Sequence, residues 1–88
     1  MRIDKLMNKL CLIKTRSIAK KAADKNLILV NKKLAKASQK IVQDDVIDYQ
    51  IYGYKTKIKV IKMPDGNVSK KKAPEFYEII SREKIDIN

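Results

Sequence analysis

Lys14-Thr15-Arg16-Ser17 is the stretch of this sequence whose chemistry is easiest to name. Two cations alternate with two hydroxyls at the junction of two amphipathic patterns. Thr15 is an expected N-cap for a helix over 16–25. The free amides of such a helix start, flanked by Lys14 and Arg16, suit a phosphate oxygen. Lys20 lies one turn beyond Arg16 on the same row. Upstream, Arg2, Lys5 and Lys9 recur at helical spacing and share one face of a first helix. If the two apolar stripes pack together, these cations surround one inter-helix joint. Each lysine alone reads as solvated; the group points to a polyanion.

Other chemistries find little support. The 88 residues hold 21 Lys and Arg against 10 Asp and Glu, a net charge of +11, and no histidine. That removes the usual general base near neutral pH and the commonest metal ligand. Cys11 is the single cysteine, so no intramolecular disulfide forms, and core packing is its expected role. Asp44, Asp45 and Asp48 do not match a calcium-loop spacing and read as a turn before a strand. Gly53 and Gly66 are isolated turn glycines, not a phosphate loop. No catalysis, metal or cofactor is expected. With no long apolar segment and no signal-peptide pattern, the expectation is a cytoplasmic protein without a membrane partner.

The elements that must hold the patch follow from periodicity. Ile3, Leu6, Met7, Leu10 and Cys11 form the apolar stripe of a first helix over 2–13. Ile18, Ala19, Ala22 and Ala23 give the second helix a small-residue face, and Asn26 is a plausible stop. Leu27 to Val30 is a short buried strand, turned at Asn31-Lys32, with Leu34 and Ala35 starting the return. Residues 36–45 look irregular. Val46 to Tyr52 alternates, Gly53 turns the chain, and Lys55, Lys57 and Lys59 alternate with Thr56, Ile58 and Val60. That lysine face reads as solvated and anti-aggregating rather than anion-binding. Pro64-Asp65-Gly66-Asn67 is a turn, and Ser69 to Lys72 a basic, mobile segment. Pro74, Glu75, Phe76, Ile79 and Ile80 predict a C-terminal helix, with a frayed tail beyond Lys84. The five aromatics, Tyr49, Tyr52, Tyr54, Phe76 and Tyr77, do not interleave with the basic patch. Backbone and shape recognition of structured RNA is therefore preferred over base stacking. The expected architecture is α+β: two N-terminal helices on a small antiparallel sheet, then a C-terminal helix. Residues 1–63 would be the RNA-binding unit and 64–88 a linker with that helix.

The sequence resembles the RNA-binding domain named after ribosomal protein S-four. The matching residues are Met1-Arg2-Ile3-Asp4-Lys5-Leu6, Lys14-Thr15-Arg16-Ser17-Ile18-Ala19, Ala22, Val30-Asn31, Lys33, Lys36 and Asp45-Val46-Ile47. Within that family, the start and the short chain look like the stand-alone ribosome-associated heat-shock type, with the bacterial ribosome quality-control type as close cousin. The resemblance implies Arg2, Lys5, Lys14, Thr15, Arg16, Ser17 and Lys20 as RNA-facing positions. It implies that Asn31, Lys33 and Lys36 support a turn at the same surface. Three departures stand out: Lys32 and Asp44 replace turn glycines, and Ala37 replaces a proline. The implied partners are rRNA of the large ribosomal subunit and tRNA carrying a stalled nascent chain; a monomer is expected. The rival readings are an accessory factor for rRNA maturation or ribosome assembly, and a polyanion binder without RNA specificity.

Overall fold

The computed structural model describes residues 1–85. In chain order the elements are α1 (Ile3–Lys9), α2 (Arg16–Asp24), β1 (Ile28–Val30), β2 (Lys33–Leu34), β3 (Val46–Ile51) and β4 (Tyr54–Val60). A 3-10 turn (Ala73–Phe76) and β5 (Tyr77–Lys84) follow. The strands form one antiparallel sheet in the order β2-β1-β3-β4-β5. The α+β class is as expected.

One core joins helices and sheet. Ile3, Leu6, Met7 and Leu10 are fully buried, and Ala19, Ala22 and Ala23 let α2 approach α1 closely. Ile28, Ile47, Ile58 and Val60 supply the sheet side. Ile41 and Ala37, from the irregular 36–45 stretch, complete it. This stretch also closes the start of α1. The Ile3 amide donates to the Gln39 carbonyl at 2.8 Å and the Asp4 amide to Ala37 at 3.3 Å. Those amides would otherwise lack intrahelical partners.

Both helices end in the same closure. At α1, Cys11 adopts φ 59°, its amide bonds the Asn8 carbonyl at 3.0 Å, and the Leu12 amide bonds Met7 at 3.0 Å. At α2, Asn26 adopts φ 62°, with Asn26 to Ala23 at 3.0 Å and Leu27 to Ala22 at 2.9 Å. A left-handed residue followed by this bond pair terminates a helix. The first helix therefore stops at Lys9, short of the 2–13 pattern. Leu10 and Ile13 stay in the core as part of the connection, but Cys11, expected to pack there, is turned out to solvent by the closure. The two hairpins turn on pairs of positive φ: Asn31 (50°) with Lys32 (70°), and Tyr52 (54°) with Gly53 (79°). That is the turn handedness that matches strand twist.

The expected C-terminal helix is corrected. Pro74 and Glu75 begin only a 3-10 turn, and Tyr77 to Lys84 forms a strand against β4. β4 otherwise presents a row of unpaired backbone groups, and β5 satisfies them. The register runs Val60↔Tyr77, Ile58↔Ile79, then Lys57↔Ser81, so Ile80 is the extra residue of a bulge. The bulge shifts the phase of the alternation and leaves Tyr77, Ile79 and Arg82 on one face. The expectation for the tail beyond Lys84 falls mainly on residues 86–88, outside the described residues.

Candidate nucleic-acid interface

The joint between α1 and α2 is built around a carboxylate that residue spacing does not single out. Asp4 is only 3% exposed. Its Oδ1 accepts from Arg2 Nε at 3.2 Å and from the Lys5 amide at 2.7 Å. Its Oδ2 accepts from Arg2 Nη2 at 3.1 Å and lies 3.5 Å from Arg16 Nη2. Arg2 precedes α1 and Arg16 opens α2, so one buried acid links the two helix starts. Both arginine side chains remain about half exposed, at 48% and 50%. The edge of each that faces Asp4 is fixed, and the other donors of the fork stay available.

The connection between the helices is pinned from two sides. Asn8 Nδ2 donates to the carbonyls of Ile13 at 3.3 Å and Lys14 at 2.9 Å. The Lys14 amide donates to the Tyr52 hydroxyl at 3.1 Å, reaching across from the β3–β4 hairpin. Thr15 caps α2 as expected, its Oγ1 accepting from the Ile18 amide at 3.2 Å. Lys14, Thr15, Arg16 and Ser17 are all exposed. The preferred chemistry at this end of α2 is anionic, from the helix dipole and the first amides.

Lys5, Lys9 and Arg16 line one shallow depression of about 380 Å³, together with Asn67 and Val68 from the loop after β4. A second depression of about 270 Å³ is lined by Asn8, Ile13, Lys14 and Lys70. The basic 69–72 segment is thus a hydrogen-bonded turn beside the joint, with the Ala73 amide on the Ser69 carbonyl at 2.9 Å. Lys70 was not among the expected site residues. Nor was Lys40, whose backbone bridges Arg2. Lys20 is exposed one turn along α2 from Arg16. Lys36 is exposed, and its neighbour Ala37 touches the start of α1.

Asn31 and Lys33 sit elsewhere, at the β1–β2 turn. The Asn31 side chain is engaged within the fold. Its Nδ2 donates to Asp45 Oδ1 at 3.0 Å, and its Oδ1 accepts from the Val46 amide at 3.0 Å. Asp45 also accepts from the Val42 amide at 2.9 Å, so it is a turn residue. On the β4 lysine face, Lys57 and Lys59 lie 3.9 Å from Asp48 and Asp44. Glu83 and Glu78 stand opposite Lys55 and Lys59 on β5. Each of these lysines therefore has at least one acid across from it, and Lys59 has two. Their field is locally compensated in a way that the joint's is not.

Among the described residues, no group of acids, cysteines or histidines could hold a metal ion. No helix among the described residues is long and apolar enough to cross a membrane.

The family model of the S4 domain matches residues 1–47. A Streptococcus pneumoniae protein named RQC P-site tRNA stabilizing factor is 36% identical over 88 residues, covering 100% of this chain and 99% of its own. The protein of that name from Listeria monocytogenes is 35% identical, covering 98% of this chain and 92% of its own. Among solved structures, the trimeric Heat Shock Protein 15 of Vibrio cholerae superposes with a TM-score of 0.84 at 22% identity. The match covers 92% of this chain and 82% of that one. It is a likeness of fold.

Proposed function

The chain belongs to the S4 domain family, and from that premise we propose that it binds rRNA of the large ribosomal subunit together with tRNA. On this reading it is a cytoplasmic, monomeric, non-catalytic factor that helps rescue or recycle stalled nascent-chain complexes. Residues 1–63 form the RNA-binding unit, and 64–88 extend it.

The observation that carries the reading is Asp4 bridging Arg2 and Arg16 at the exposed helix joint. A charge cloud attracts any polyanion, but a fixed pair of guanidinium forks selects a phosphate geometry. Arg2 and Arg16 grip one stretch of backbone. The start of α2 and Lys14, Thr15 and Ser17 take the adjoining phosphate, while Lys5, Lys9 and Lys20 supply longer-range attraction. Asn31 holds the β1–β2 turn, and Lys33 and Lys36 add charge from beyond the joint. The relatives named as P-site tRNA stabilizing factors support tRNA as the second partner.

Crosslinking in the host, followed by sequencing of bound RNA, tests this. Enrichment of large-subunit rRNA and tRNA on subunits that carry nascent chains is expected. Enrichment of precursor rRNA on assembly intermediates would favour a maturation factor instead. RNA captured in proportion to its abundance would indicate a polyanion binder.

A further inference from the structure

The aromatics expected to lie apart from the basic patch converge in the structure on a cleft next to it. Tyr49, Tyr52, Tyr54 and Tyr77 line a cavity of about 220 Å³, with Arg82 and the end of the α1 closure at its rim. Tyr49 is a core residue, 6% exposed, whereas Tyr52 is 52% exposed. Tyr54 and Tyr77 are half-buried. The Arg82 guanidinium carbon sits 4.3 Å from the centroid of the Tyr54 ring. The bulge at Ile80 brings it there, since without the extra residue Arg82 would fall on the opposite face of β5.

We propose that this cleft binds one unpaired RNA nucleotide, its base against the tyrosine rings and its phosphate on Arg82. The proposal rests on the RNA-binding reading above and names a further site for it.

Three observations choose the occupant. First, the cleft adjoins the helix joint: Cys11 lines both this cavity and the depression that holds Lys5, Lys9 and Arg16. The Tyr52 hydroxyl accepts directly from the Lys14 amide at 3.1 Å, which ties rim to joint. A strand leaving a duplex held at the joint meets the cleft next. Second, the lining combines aromatic faces with a cation and no carboxylate. Sequence-tolerant base stacking uses that combination. An acidic peptide would leave the rings unused. Third, Arg82 is already stacked and exposed. Its outward N–H groups can reach a phosphate without loss of that stacking.

Two synthetic RNAs test the site: a blunt hairpin, and the same hairpin with an unpaired 3′ tail containing 2-aminopurine. For the wild-type chain, the tail tightens binding about tenfold, and 2-aminopurine fluorescence is quenched on binding. Tyr54→Leu combined with Arg82→Gln binds the blunt hairpin as wild type does and loses both the preference and the quenching. Tyr54→Phe, which keeps the ring, retains them. The single Arg82→Gln variant, at an exposed position, loses part of the preference and guards against a folding defect in the double variant. Equal affinity for the two hairpins, without quenching, overturns the cleft proposal and leaves the joint standing. Failure of the wild-type chain to bind either hairpin overturns the parent reading and this one with it.

Discussion

Asp4→Asn separates two accounts of the helix joint. If the joint works by summed charge alone, removing one carboxylate raises the net charge from +11 to +12, and RNA binding tightens. If Asp4 works by holding Arg2 and Arg16, binding weakens. The structure gives the size of each effect. Asparagine cannot replace the paired bonds at 3.2 and 3.1 Å to Arg2 or the 3.5 Å approach of Arg16. Each released guanidinium regains rotamer freedom that RNA must then freeze, at about 0.5–1.5 kcal/mol per side chain. Against this, the carboxylate–phosphate repulsion that the variant removes is about 1 kcal/mol or less, because the two guanidiniums already neutralise the buried Asp4 charge. The net expectation is about 1 kcal/mol, or about fivefold weaker binding. Stability should fall by about 1–2 kcal/mol, because Asp4 also favours the start of α1 and both arginines are half solvated. Fluorescence anisotropy with a structured rRNA fragment measures the affinity, and circular dichroism melting checks the fold. Equal or tighter binding by a folded Asp4→Asn chain would refute the positioning argument.

The left-handed positions give a stability prediction. Cys11, Lys32 and Asp44 hold φ of 59°, 70° and 75°, where a side chain costs about 1–2 kcal/mol. Replacing any one with glycine returns about 0.5–1 kcal/mol after glycine's own entropy loss, a rise in Tm of about 3–6 °C. An unchanged or lower Tm for Cys11→Gly would mean that this closure is unstrained. Alkaline pH gives a second. Burial pushes the Tyr49 and Tyr77 phenols above 10.0, with the Thr56 hydroxyl pulling Tyr49 partly back. The folded chain then keeps protons that the unfolded chain releases. This stability is complete below about pH 10 and is lost as pH rises through the folded values. Urea titrations across that range should show the decline, and Tyr49→Phe should flatten it.

Much of the fold was legible because local signals agreed. The Thr15 cap, the Asn26 stop, the Asn31 and Gly53 turns and the alternation of Val46 to Tyr52 each had a mechanism that the structure uses. The C-terminal strand was hidden because its bulge puts Ile79 and Arg82 three residues apart on one face. Phe76, Ile79 and Ile80 then mimic a helical stripe, and only β4's need for a neighbour decides the matter. The site was legible as a charge pattern but not as a geometry. Nothing in the residue spacing gives Asp4 a role of its own, and its burial between Arg2 and Arg16 depends on how α1 meets α2. Lys70 and Lys40 reach the joint through loops whose paths no periodicity records. The tyrosine cleft depends on a hairpin, a bulge and a helix closure meeting in space, and of these only the hairpin is visible in the sequence.

The most direct test of the central claim is the salt dependence of RNA binding. Wild type should be compared with Lys14→Ala/Arg16→Ala/Lys20→Ala and with Lys55→Ala/Lys57→Ala/Lys59→Ala. If the joint is the RNA site, its variant weakens binding and shallows the log–log slope by about 0.7–0.9 for each phosphate it no longer neutralises. The β4 variant, whose lysines each have an acid across from them, should change affinity far less. Unchanged affinity and slope for a folded joint variant, or a larger loss from the β4 trio, would contradict it.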